Sequence, residues 1–118
     1  MTECSPTELR LSADKSELRV TFNPGEDYTL SAEMLRVMSP SAEVQGHGPS
    51  QRKLVGGKRL VKISKIEPIG HYAVRIVFDD LHDSGIFTWQ YLHELGSGRA
   101  AKWATYLSET AEKGVSRG

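Results

Sequence analysis

Glu43 and His47 stand four residues apart. On a helical turn that spacing brings a carboxylate and an imidazole to one side. Such a pair begins a site for iron or zinc, which accept oxygen and nitrogen ligands. The plainer alternative is a solvated loop carboxylate and a histidine flanked by Gly46 and Gly48. Ser39, Ser41 and Ser84 lie in polar segments, with histidines elsewhere in the chain. Nucleophile and base pairs are fixed by geometry rather than by sequence separation, so these serines do not by themselves indicate catalysis. His71 and His93 show no partner spacing and read as surface or boundary residues.

A second feature is positive charge. Arg52, Lys53, Lys58, Arg59, Lys62 and Lys65 occur with no acid between Glu43 and Glu67. This stretch could meet an acidic protein, a phosphate or nucleic acid. It also reads as a solvated loop and strand edge, where lysines deter sheet-to-sheet association. The Gly56-Gly57-Lys58-Arg59 run is not a phosphate loop, because the upstream glycine is missing at the needed spacing and Arg59 replaces the hydroxyl residue.

These residues need elements to position them. Leu9 and Leu11, then Leu18, Val20 and Phe22, then Tyr28 and Leu30 alternate with polar residues, the period of half-buried strands. Asn23-Pro24-Gly25 supplies a turn between the last two. Ser31 is placed to cap a short helix that has Glu33 in its first turn and Met34, Leu35 and Met38 on its apolar side. Pro40 stops that helix, and a long loop follows from Ser39 to Gly57. Loops of this length in compact domains are commonly functional or mobile.

Strands are predicted over Leu60 to Ile69, Tyr72 to Phe78 and Ile86 to Trp89, with Asp79 to Gly85 as a turn. Trp89, Leu92 and Leu95 mark a helix that leaves at Gly96. Ala100, Trp103, Ala104, Leu107 and Ala111 follow the spacing of one apolar helix face, and Gly114 ends it. Val74, Ile76, Phe78 and both tryptophans are expected in the core. The fold class is α+β: an antiparallel sheet of about five to six strands with short helices packed on one side.

The 118 residues suit one domain, read as a flexible N-terminus over 1–7, a folded domain over 8–113 and a flexible C-terminus over 114–118. Apolar residues at 38% and charged residues at 25% are an ordinary globular balance, and zero formal net charge gives no global pull toward nucleic acid or anionic lipid. No run approaches the ~20 apolar residues of a membrane span, and residues 1–10 lack the apolar core of a signal peptide. Cys4 is the only cysteine, so neither an internal disulfide nor a cysteine zinc cage can form. A reducing, cytoplasmic location is the expectation.

Two segments are distinctive. One is Leu35-Arg-Val-Met-Ser-Pro-Ser-Ala-Glu-Val-Gln-Gly-His-Gly-Pro49. The other is Asp79-Asp-Leu-His-Asp-Ser-Gly-Ile86, followed by Trp89. They resemble the gamma-butyrobetaine hydroxylase-like N-terminal domain family, formerly a domain of unknown function, and the first is similar to its stand-alone bacterial form. The resemblance runs from about Leu9 to about Leu107. It implies a structural zinc in the hydroxylases, held by a Cys-x-Cys-x-x-Cys run and a later histidine. Those ligand positions fall here on Ser39, Ser41, Val44 and His82. Three of the four ligands are thereby lost, since serine hydroxyls are poor zinc ligands and valine is none. The chain is therefore expected to fold without zinc, although such a site can contribute ~10–16 kcal/mol to folding. His82 then reads as a turn histidine, or as a third ligand with Glu43 and His47 in a replacement iron or zinc site.

The resemblance also implies a function. The catalytic iron domain of the hydroxylases is absent, so the chain is read as non-enzymatic with no cofactor expected. Related domains accompany catalytic domains and iron–sulfur carrier ATPases. The leading expectation is a protein-interaction domain that docks to a metalloenzyme or an iron–sulfur or metal-delivery partner. Ser41, Glu43, Gln45, His47, Lys58, Arg59 and Lys62 are the candidate contact residues, with His82 beside them. The alternatives are a small metal-binding protein using Glu43, His47 and His82, and nucleic-acid binding through residues 52–65.

Overall fold

Among the described residues, alternating apolar residues produce six strands, and their pairing is antiparallel. The computed structural model describes residues 5–23, 25–41, 44 and 54–117. The first three strands, β1 (Glu8–Leu11), β2 (Glu17–Asn23) and β3 (Glu26–Ser31), form one sheet in the order β1-β2-β3. The last three, β4 (Ile63–Ile69), β5 (Ala73–Phe78) and β6 (Ile86–Thr88), form a second, in the order β4-β5-β6. The α+β class holds, and the strands divide into two three-stranded sheets. Alternation reveals a strand but not which neighbour it pairs with.

Both sheets share one core. Leu18, Val20, Phe22 and Leu30 of the first meet Ile63, Val74, Ile76, Phe78 and Phe87 of the second, all buried. Ile63 N donates to Lys15 O at 2.9 Å and so joins the start of β4 to the β1–β2 turn. Helix α1 (Ala32–Val37) begins at Ser31, whose hydroxyl accepts from Met34 N at 3.0 Å and fills one of the open donors of the first turn. Helix α2 (Trp89–Ser97) is capped in the same way by Thr88, which accepts from Tyr91 N at 3.1 Å. Helix α3 (Arg99–Glu112) follows directly.

Four expectations are corrected. β4 starts at Ile63 rather than Leu60, because residues 58–61 close a turn through Val61 N to Lys58 O at 3.1 Å. Gly96 does not end its helix: α2 runs to Ser97 and is closed by Gly98. Gly96 is instead buried against Tyr28, whose ring occupies the space a side chain would need. α3 does not bury its alanine face. Ala100, Ala104, Leu107 and Ala111 are exposed, while Tyr106 and Thr110 are buried. Tyr106 wins because its ring stacks on Trp103 at 5.1 Å and its hydroxyl donates to Val55 O at 2.7 Å, contacts no alanine can make. Trp103 and Trp89 lie half-buried at the rim of the core rather than inside it. Residues 115–117 make backbone and side-chain bonds to the body of the domain.

Candidate functional site

The segment after α1 meets the turn after β5. Ser39 follows the helix end, where Tyr91 OH donates to Met38 O at 2.5 Å. His82 follows β5, and its carbonyl accepts from Phe78 N at 3.0 Å. Across 43 residues of sequence, Ser39 Oγ and His82 Nε2 stand 2.9 Å apart, with Ser39 at 0% and His82 at 4% exposure. Ser41 N donates to Ser39 Oγ at 3.3 Å, and Ser41 Oγ lies 2.6 Å from Ser84 Oγ. Val44 N donates to Ser41 O at 3.0 Å, and Val44 is buried.

The four positions given by the family resemblance thus belong to one buried junction between two segments. As a donor set it does not fit zinc. Two hydroxyls and a valine stand where thiolates are needed, and the histidine nitrogen is already engaged by Ser39. Nor does Ser39 present its hydroxyl to a substrate, since it is fully buried. Polar groups in such a place act by satisfying one another.

Beside this junction Asp80 ties three segments together. Its Oδ2 accepts from Arg36 Nε of α1 at 2.8 Å and lies 2.6 Å from Lys58 Nζ. Its Oδ1 accepts from His82 N at 3.1 Å. Burial pushes the Asp80 carboxyl up, but the Lys58 ammonium, the His82 N–H and the Arg36 guanidinium outweigh it and hold the group at about 2. Among the described residues this one carboxylate serves two cations, and Arg36 Nη1 is buried with no hydrogen-bond partner there.

The same end of the second sheet presents two leucines to solvent. Leu60 is 82% exposed and Leu81 is 87% exposed. Their loops are fastened together: Asp79 N donates to Lys62 O at 2.9 Å, and Lys62 N donates to Asp79 Oδ1 at 3.1 Å. Leu81 also adopts φ 73°. The left-handed region costs a residue bearing a β-carbon about 1–2 kcal/mol, and glycine, asparagine or aspartate is the usual choice there. Leu81 is thus unfavourable for the isolated chain on two counts, strain and exposure.

Of the residues singled out from sequence, Glu43, Gln45, His47, Arg52 and Lys53 lie outside the described residues. No cluster of three metal-ligating side chains occurs among the described residues. The basic stretch is partly neutralised, with Lys58 on Asp80 and Lys65 3.6 Å from Glu67. Arg59 is exposed and Lys62 half-buried. Sequence reasoning missed Asp80 and Leu81, which carry no periodicity signal. His93, read from sequence as a surface or boundary residue, is half-buried, with its Nε2 2.9 Å from Glu26 Oε2 and its ring meeting Phe22 edge-on at 5.0 Å. No helix among the described residues is long and apolar enough to cross a membrane.

Comparison with known proteins gives the following. The family model "gamma-butyrobetaine hydroxylase-like, N-terminal" matches residues 9–93. A protein solved by solution NMR is 46% identical with a TM-score of 0.83, over 96% of this chain and 89% of that one. A second NMR structure is 42% identical with a TM-score of 0.80, over 99% and 90%. A crystal structure of a DUF971-family protein of unknown function from Acidithiobacillus ferrooxidans is 35% identical with a TM-score of 0.66, over 79% and 93%. Among curated proteins nothing matches. Sequence and fold agree, and the chain belongs to the gamma-butyrobetaine hydroxylase-like N-terminal domain family.

Proposed function

We propose that this domain is a non-catalytic docking module for a metalloenzyme or an iron–sulfur or metal-delivery protein, engaged through the turn end of the second sheet. The observation that carries this reading is Leu81, an exposed leucine held in a left-handed conformation on a braced turn. Backbone strain held at an exposed apolar residue is commonly tied to function. Leu60 supplies a second apolar anchor, and the Lys58–Asp80–Arg36 cluster keeps both loops rigid, so little ordering cost attends binding. Arg59 and Lys62 steer toward a partner with carboxylates around an apolar cleft. The family name, which ties the domain to gamma-butyrobetaine hydroxylase, supports this partner class.

Capture of partners from the native cell by the immobilised chain, read by mass spectrometry, tests the partner class. Reproducible enrichment of a metalloenzyme or iron–sulfur carrier is the expected result. Enrichment of nucleic acid, lost as salt is raised, would favour the basic-stretch alternative instead.

A further inference from the structure

The buried carboxylate of Glu33 is filled from outside the core. Arg117 Nε donates to Glu33 Oε2 at 2.9 Å, and Arg117 Nη2 donates to Oε1 at 2.8 Å. The guanidinium carbon lies 5.3 Å from the centre of the Trp103 ring, which in turn stacks on Tyr106. The backbone completes the arrangement. Ser116 O accepts from Gly57 N and Arg117 O from Arg59 N, both at 2.8 Å. Gly56 is open where Val115 approaches; any side chain at 56 would collide with Val115 Cγ1 and Ser116 O.

The two sides of this contact differ in kind. Glu33 belongs to α1, and Trp103 and Tyr106 belong to α3. Both helices are elements that residues 115–117 form no part of. Those three residues belong to no helix or strand and follow Gly114 at φ 65°. They can lift away without breaking an element. Lifting them breaks the Val115 N to Thr110 O bond, removes the guanidinium from Glu33, which is 6% exposed with the segment docked, and leaves Gly57 N and Arg59 N without these acceptors. A buried charge without its partner is costly, so the vacated cleft demands a guanidinium and two carbonyls.

We propose that this cleft is a receptor for an arginine-bearing peptide segment of the form apolar-x-Arg, and that residues 115–117 are its built-in competitor. Glu33 selects a planar two-pronged donor, Trp103 favours a guanidinium over an ammonium, and the gap at Gly56 takes the apolar residue two positions earlier. The site adjoins the leucine surface through residues 57–60, whose backbone Arg117 O holds at Arg59 N, but it uses different side chains.

The test uses the full chain carrying Arg117→Ala, titrated with acetyl-Val-Ser-Arg-amide and followed through the Gly57 and Arg59 amide and Trp103 indole resonances. Saturable shifts at all three are expected, with binding at least ~10-fold tighter than to the unsubstituted chain, whose own segment competes at high effective concentration. The Val-Ser-Lys peptide should bind at least ~10-fold more weakly, and adding Glu33→Gln should abolish binding. If Arg117→Ala is unfolded, the arginine peptide should restore its cooperative melt, and Arg117→Lys provides the titration. No saturable shift in a folded variant, equal binding of the lysine peptide, or no restoration of an unfolded one would overturn the proposal.

Discussion

Ser39 Oγ and His82 Nε2 form a buried hydrogen bond of 2.9 Å between the segment leaving α1 and the turn leaving β5. Family resemblance places a metal at this junction in the hydroxylases; here side chains meet directly. Ser39→Ala should therefore cost about 1–3 kcal/mol, the range for leaving a buried polar partner short of a bond. A chelator should leave the melting temperature of the unsubstituted chain unchanged. A fall of more than about 5 °C on chelation would mean that metal holds the junction after all.

Asp80 makes a pH prediction. Its folded-state carboxyl sits at about 2 against an ordinary 3.8. A depressed carboxylate stabilises the fold above the ordinary value and loses that contribution as pH falls through the folded one. Stability should thus decline between about pH 4 and pH 2, with Asp80 contributing on the order of 1–2 kcal/mol after allowance for solvent screening. Asp14, held at about 2 by the Ser16 and Ser12 hydroxyls, titrates in the same window. Denaturant melts of Asp80→Asn and the unsubstituted chain across that range isolate the Asp80 share. Parallel pH curves would show that the bridge to Lys58 and Arg36 contributes nothing.

Gly96 tests packing against propensity. In an isolated helix, glycine to alanine gains about 1 kcal/mol. Here the new methyl would enter the Tyr28 ring near its attachment to the backbone, where rotation gives little relief. Gly96→Ala should destabilise by about 1–3 kcal/mol. A variant that melts higher than the parent would show that Tyr28 moves freely.

Phe78 and Trp103 rank the core against its rim. Phe78 is 1% exposed, and Phe78→Ala should cost about 3–5 kcal/mol. Trp103 is half-buried, and its main partners are Tyr106 and Arg117. Its replacement by alanine should cost at least about 1 kcal/mol less than that of Phe78. Equal costs would place Trp103 deeper than the geometry does.

The parts of this fold visible in the sequence are those set by local period. Leu18, Val20 and Phe22, and Val74, Ile76 and Phe78, alternate because one sheet face is dry, and Ser31 is a helix cap wherever the chain goes next. Long-range facts were not visible in that way. Nothing local shows that the Ser31 and Thr88 caps belong to helices on a core shared by two sheets, or that Gly96 faces Tyr28. The α3 face misled because three alanines at helical spacing look apolar yet bury little area, while Tyr106 has two specific contacts. Ser39, Ser41 and His82 were placed together only through family positions, and the structure shows the bonds that join them. Leu81 gave no signal, because its meaning lies in a backbone angle and an exposure that no residue type encodes.

The docking account rests most directly on Leu60 and Leu81. The decisive measurement pairs a denaturant melt with capture of the native partner, using a Leu60→Ser, Leu81→Asn double variant. Asparagine tolerates the left-handed conformation, so stability should hold or rise by about 1 kcal/mol while capture is lost. A variant as stable as its parent that still captures the same partner would contradict the account.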